Sequence, residues 1–350
     1  MRHSSYSPPW LLNNGFLMTL YVAMRSSQVW EETLNEPEPY YKKVVFTQGD
    51  VPLAGWVAIP PNPKGTFVGT YGITGTLDNQ WFLKILGRKA YAQNYAVVLF
   101  DWRAHGESIK LSSVLTSDGI NEGKDFVNIA AESKTLGCPT PFWFTGYSLG
   151  GQLALWGVYY SEFLHVAGLN PEDVAGGAVI CPNLDSNLSL PYLEQHPTGK
   201  YIEQAIAKEL QKLLRLIHAH HPEEIDMAAV ERATTIWGFD NELVIPRLGF
   251  DSVEEYYAAS SPFLFLHKLQ KPTLILYAED DPMFAPSIVP KLKTVCRHSE
   301  ALDLVSTNSG GHVGYVSSQK CQQENGDRDC WWAWNRILDW SNRLIEKRPI

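Results

Sequence analysis

Gly146-Tyr147-Ser148-Leu149-Gly150 follows the apolar run Pro141-Phe142-Trp143-Phe144-Thr145 and precedes the helix-like run Gln152-Leu153-Ala154-Leu155-Trp156. A Gly-x-Ser-x-Gly pattern set between a buried strand and a helix is that of a nucleophile elbow, in which a sharp turn strains the serine backbone and lifts Oγ clear of the sheet. Glycines flank the serine because a Cβ there would clash. The helix that starts at the turn directs unpaired backbone N–H groups, that of Leu149 among them, at an oxyanion formed beside Ser148. The pentapeptide also occurs by chance in loops, so its meaning depends on partners elsewhere in the chain.

A serine hydroxyl needs a general base and a group that orients the base. After an elbow of this type the chain order is serine, acid, histidine. Thr273-Leu274-Ile275-Leu276-Tyr277-Ala278-Glu279 is a continuous apolar run of strand type that ends in Asp280-Asp281-Pro282. A carboxylate at a strand's C-terminal end faces the ligand-binding edge of an open α/β sheet. Asp281 is preferred because Pro282 fixes the turn just after it, Asp280 is the alternative, and a purely turn-capping pair is the structural one. Of the ten histidines, His298 and His312 follow Asp281. His312 stands in the glycine-rich stretch Ser309-Gly310-Gly311-His312-Val313-Gly314, after the strand-like Ala301–Ser306, whereas His298 lies in a polar stretch that reads as surface. The expected arrangement has His312 Nε2 toward Ser148 and Nδ1–H toward Asp281. A second oxyanion donor is expected from the loop Tyr71-Gly72-Ile73-Thr74-Gly75, after the strand Thr66–Thr70. The Ile73 N–H is the first choice and Thr74 the next, a well-placed donor contributing about 3 kcal/mol of transition-state stabilisation.

The 350 residues, 45% hydrophobic and 19% charged, suffice for one large core with an inserted subdomain. A net charge of −9 with no Lys/Arg cluster argues against a nucleic-acid partner. Five cysteines (Cys138, Cys181, Cys296, Cys321, Cys330) include no Cys-x-x-Cys pair, so neither a disulfide framework nor a zinc site is implied. Cys321 and Cys330 are read as a reduced cytosolic pair. His218-Ala219-His220-His221 lacks a carboxylate at ligand spacing and is read as no metal site. No cofactor is expected. Near the N-terminus, Gly15–Met24 loosely imitates a signal peptide, but Pro8-Pro9 and Asn13-Asn14 interrupt it and the apolar stretch is too short to span a bilayer. It is expected to pack on the domain, with peripheral contact to a membrane surface as the lesser alternative. The expected location is cytoplasmic.

Strand-like and helix-like segments alternate along the first half. Lys43–Thr47 and Leu53–Ala58 flank Gln48-Gly49-Asp50, a hairpin signal. The strand Thr66–Thr70, a helix near 80–93, the strand Ala96–Phe100, a helix over 121–136, the elbow strand and Gly176–Cys181 follow. Such alternation implies a parallel sheet covered on both faces. Between Pro182 and Pro272 it stops. Tyr201–His221 carries Ile202, Ile206, Leu210, Leu213 and Ile217 at amphipathic spacing, and Glu223–Thr234 has similar character. About ninety residues without a core strand are too many for a loop, so a helical cap over the strand ends is expected.

With the elbow, Asp281 and His312 in place, the chain resembles the α/β-hydrolase superfamily, and in its details the YheT-like branch. That branch holds plant embryogenesis-associated proteins, mammalian membrane-linked esterases and lipases, and yeast medium-chain ester synthases. The resemblance is carried by Tyr6-Ser7-Pro8-Pro9-Trp10-Leu11 with Thr19, Phe239-Asp240, Gly249-Phe250, Glu255-Tyr256-Tyr257 with Ser260-Ser261, Pro272-Thr273-Leu274, Asp280-Asp281-Pro282 and Gly310–Gly314. It implies a mostly parallel central sheet of about eight strands flanked by helices. It also implies a core formed by 1–182 (with an extension over 1–40) and 272–350, and a helical cap over 183–271. Two features depart from the branch: Tyr71 stands where many relatives have His, and 317–329 looks like added local decoration. His105, in Arg103-Ala104-His105-Gly106-Glu107-Ser108, resembles a structural motif of the superfamily and precedes the serine, so it is not the base.

The resulting expectation is a serine hydrolase of carboxylic esters, with short- to medium-chain acyl esters or lipids as the substrate class. An acyltransferase with the same residues and an alcohol acceptor is the nearest alternative. A non-catalytic small-molecule binding module of the same fold is the other, although such modules usually lack one of the three residues. Epoxide and haloalkane chemistry is disfavoured, because relatives doing it carry Asp in place of the elbow serine.

Overall fold

A computed structural model describes residues 5–347. Eight strands form one sheet: β1 (Lys42–Phe46), β2 (Leu53–Ala58), β3 (Thr66–Thr70), β4 (Ala96–Phe100), β5 (Phe142–Tyr147), β6 (Val174–Ile180), β7 (Thr273–Ala278) and β8 (Leu302–Thr307). Their order across the sheet is β1-β2-β4-β3-β5-β6-β7-β8. The first two strands form the expected hairpin, β2 runs antiparallel to β4, and every later pairing is parallel. The centre of the sheet is made by continuous apolar runs buried along their whole length, as strands covered on both faces require. β1 begins with two exposed lysines, which suits an edge.

Consecutive strand residues point to opposite faces, and β5 makes both coverings visible. Trp143 meets Trp340 of the C-terminal helix (Trp332–Glu346), while Phe144 meets Phe126 of the helix Glu122–Thr135. The helix after the elbow, Leu149–Tyr160, is apolar nearly all round and buried for ten of its residues. A helix of that character belongs between layers: it lies against β5 and β6 and against the helix Glu122–Thr135.

Between β6 and β7 the described chain is helical, principally over Ser186–Gln195, Pro197–His220, Met227–Arg232 and Val253–Ser260. Leu210, Leu214 and Ile217 of the long helix join Val230, Val244 and Tyr256 in an apolar cluster of their own. The helix read over 223–234 is shorter than its pattern suggests. Pro222 and the Asp226 side chain, which accepts from the Ala228 N–H, delay its start.

The N-terminal helix Gly15–Tyr21 packs inward, with Met18 buried and Val22 and Trp30 following it into the core. Trp10, Leu11, Leu17 and Met24 remain exposed on its outer side. Among the described residues no helix is long and apolar enough to cross a membrane. The segment 317–329 is more than decoration. Its helix Gln319–Asn325 ties down the extended N-terminus through Ser318 N to the Ser7 carbonyl and Asn325 Nδ2 to the Ser5 carbonyl, and Asp329 forms a buried ion pair with Lys89. All five cysteines are free.

Candidate active site

Ser148 sits between β5 and its helix at φ 55° and ψ −130°, a region that costs a non-glycine residue of order 1–3 kcal/mol. Neighbouring contacts hold it there. A Cβ on Gly146 would fall 2.2 Å from the Gly150 carbonyl oxygen, and one on Gly150 2.3 Å from the Tyr71 carbonyl oxygen. Both glycines of the pentapeptide are therefore needed for close backbone approach, one within the turn and the other against the loop after β3.

The two partners expected for Ser148 converge on it from the ends of β7 and β8. His312 Nε2 lies 2.9 Å from Ser148 Oγ, and Nδ1 lies 2.8 Å from Asp281 Oδ2. Asp281 is buried, and its other oxygen accepts the Met283 N–H at 2.9 Å. With Nδ1 carrying the proton toward the carboxylate, Nε2 is the acceptor facing the hydroxyl. Phe284 meets the imidazole edge to face at 5.2 Å between ring centres. The neighbouring Asp280 does a different job: its Oδ1 accepts the Gly311 N–H at 2.9 Å, which braces the histidine loop. Burial pushes the Asp280 carboxyl above its ordinary range despite that bond.

Ile73 and Leu149 line the cavity beside Ser148. Among the described residues neither backbone amide donates to a protein acceptor. The second choice of the sequence reading, Thr74, is already engaged: its N–H donates to His105 Nε2 at 3.2 Å. His105 is buried and stacks on Trp102 with ring centres 3.5 Å apart, and its Nδ1 faces the Arg103 carbonyl at 3.0 Å. Both ring nitrogens are satisfied only in the neutral form with the proton on Nδ1, and burial holds its pKa down to about 3. His105 thus shapes the loop that presents Ile73. Tyr71 donates its hydroxyl to Asp101, which also accepts the Leu77 and Glu107 amides at 2.9 Å each. The loop keeps a buried polar anchor with tyrosine in that place.

Over Ser148 lies a cavity that is partly open to solvent. Ile206, Leu210, Ile236 and Phe239 make much of its wall, and two buried carboxylates, Asp118 and Asp240, also reach it. Burial and the adjacent Glu122 push Asp118 up to about 7. Burial and Asp118 raise Asp240 well above its usual value, while Tyr257 donates to it at 2.5 Å.

Three of the other histidines are engaged away from the site. His298 Nδ1 faces the Thr294 carbonyl at an exposed helix end, His218 faces the Ile225 carbonyl, and His221 faces that of Ile109. Among the described residues no three His, Cys, Asp or Glu side chains converge as metal ligands. Thr19 escaped the sequence reading as a site residue, although it lies in the N-terminal signature. Its Oγ1 accepts the His312 N–H at 2.8 Å across 293 positions of chain. No local pattern could have disclosed that contact.

Sheet order, strained elbow and helical covering define an α/β hydrolase. The chain belongs to the Alpha/beta hydrolase family, which it matches over residues 72–320. Within the family it stands in the YheT-like branch. It is 52% identical to the Synechocystis sp. protein named "Putative esterase slr0264", over 96% of this chain and 94% of that protein. It is 22% identical to the likewise named YheT of Escherichia coli, over 89% and 86% of the two chains. Among solved structures, the Pyrococcus furiosus esterase Pf2001 has the same fold, with a TM-score of 0.54 at 15% identity over 87% of this chain and 93% of that one. The protein is accordingly an esterase-like α/β hydrolase.

Proposed function

We propose that the protein hydrolyses carboxylic esters through an acyl-enzyme on Ser148, with short- to medium-chain acyl groups or lipids as its substrate class. Ser148 Oγ attacks the ester carbonyl while His312 Nε2 takes the hydroxyl proton, and the Asp281 carboxylate stabilises the imidazolium. The carbonyl oxygen becomes an oxyanion between the Ile73 and Leu149 amides. On collapse of the tetrahedral intermediate the C–O bond to the alcohol breaks, and His312 returns the proton to the departing oxygen. Water then enters: His312 removes its proton, hydroxide adds to the acyl carbon, and Ser148 leaves reprotonated with the free acid as product.

The observation that carries this reading is the continuous chain from Ser148 Oγ to His312 at 2.9 Å and on to Asp281 at 2.8 Å, opening into a mostly apolar cavity. The helices above it would exclude water and seat the acyl chain. The test pairs fluorophosphonate labelling with nitrophenyl esters of increasing chain length, in wild type and Ser148→Ala. Wild type is expected to label and to turn over esters, and the variant to do neither. Equal labelling of the two proteins would overturn the proposal. Added alcohol distinguishes the products: free acid alone indicates hydrolysis, and a new ester indicates acyl transfer.

A further inference from the structure

The histidine loop is irregular backbone. Gly310, Gly311 and Val313 all have positive φ, at 155°, 59° and 65°, so the segment follows no regular ladder, and His312 depends on contacts from outside the loop. Its backbone amide receives one from the far end of the chain. Thr19 Oγ1 accepts the His312 N–H at 2.8 Å and donates its own proton to the Gly15 carbonyl at 2.7 Å. With that proton committed inside the helix, only the hydroxyl's lone pairs remain for His312.

The packing around this bond is built for backbone contact. A Cβ on Gly15 would fall 1.7 Å from the Asp280 carbonyl oxygen. A Cβ on Gly311 would fall 2.5 Å from the Gly15 carbonyl oxygen and 2.8 Å from Thr19 Oγ1. One glycine on each side therefore lets the N-terminal helix touch both the acid turn and the histidine loop. Met18, fully buried, fills the space that Gly314 leaves open, where a Cβ would come within 2.5 Å of its side chain. The same helix thus bears on the backbone of Asp280, beside Asp281, and on that of His312. Core burial alone would not call for two glycines and a hydroxyl where the helix meets the His312 backbone.

We propose that Thr19 is a positioning residue: the N-terminal helix, through the Thr19 hydroxyl, fixes the His312 backbone so that its imidazole spans Ser148 and Asp281. This rests on the reading of His312 as the general base. The Thr19 hydroxyl bonds Gly15 and His312 and not Ser148, and Thr19 does not line the cavity, so its loss acts through His312 on the chemical step. A misplacement of the base by a fraction of an ångström to about 1 Å lowers rate by up to about a hundredfold.

The test compares wild type, Thr19→Val and Thr19→Ser on one nitrophenyl ester, with melting temperatures measured alongside. Valine keeps the shape and removes the acceptor; serine keeps the hydroxyl. Thr19→Val is expected to lower kcat and the rate of fluorophosphonate labelling by about tenfold to a hundredfold with KM nearly unchanged, and Thr19→Ser to restore most of both. Equal activity in the valine variant, or a serine variant that folds yet stays as impaired as valine, overturns the proposal. Amide hydrogen exchange on the wild-type protein supplies a measurement that needs no variant to fold. The His312 amide should be protected, and exchange at the rate of an open loop overturns the proposal too. Failure of the underlying reading looks different, because wild type itself would then not label.

Discussion

Asp280 and Asp281 are adjacent and identical in chemistry, yet they receive opposite assignments from a single turn. One oxygen of Asp281 takes the imidazole and the other the Met283 amide, so its side chain is fixed by groups on both sides. Asp280 turns away and holds the Gly311 amide. If Asp281 orients the base, Asp281→Asn presents an amide to Nδ1 and favours the wrong tautomer, a change that costs about 10⁴-fold in kcat where it has this role. Asp280→Asn keeps an oxygen for Gly311 and should cost about tenfold or less. Steady-state kinetics on the two variants decide the matter, and a larger loss in Asp280→Asn would reverse the assignment.

At the scale of elements, legibility followed locality. β3, β4, β5 and β7 could be read because a central strand of a parallel sheet is an unbroken apolar run closed by turn residues. The elbow could be read because its glycines, serine and flanking elements lie within a few residues of one another. Thr19 could not: its value lies in a contact between the first helix and a loop after the last strand. Asp118 was equally hidden, since it sits in an irregular stretch and only the fold brings it to the cavity beside Ser148. The helical region between β6 and β7 was legible as helices but not as a wall, because facing residues such as Ile206 and Phe239 are brought together only by the fold. The proposed acyl site belongs to that region. Ile206 is half-buried and lines the cavity, so Ile206→Trp should fill space there with modest strain, and overpacking costs typically about 1–3 kcal/mol. Among nitrophenyl esters the preferred acyl chain should become shorter, with the shortest esters little affected. An unchanged chain-length profile would place the acyl group elsewhere.

Across the whole molecule, two buried titratable groups near the site pull stability in opposite directions with pH. His105 is held neutral, its pKa lowered to about 3 from an ordinary 6.5. Its unfolded form binds a proton that the folded form refuses, so the stability it supports is present above about pH 6.5 and is lost as pH falls toward 3. Asp118 has the reverse sign, being raised from 3.8 to about 7. The folded form keeps a proton that the unfolded chain releases, so this contribution is present below about pH 4 and lost as pH rises through 7. Each group changes stability by at most about 1.4 kcal/mol per pH unit within its window, and Asp240, raised in the same sense as Asp118, adds to the alkaline loss. Because the windows overlap, wild type reports only their sum, and substitution separates them. Between pH 5 and pH 7.5, Asp118→Asn should gain stability relative to the change wild type undergoes, since the destabilising ionisation is gone. His105→Gln should lose stability relative to it, since the gain on deprotonating the unfolded state is gone. Urea unfolding at the two pH values measures both differences. Equal pH responses in the three proteins would mean that neither group is perturbed by the fold, and opposite signs would mean that the cavity holds Asp118 ionised and His105 charged.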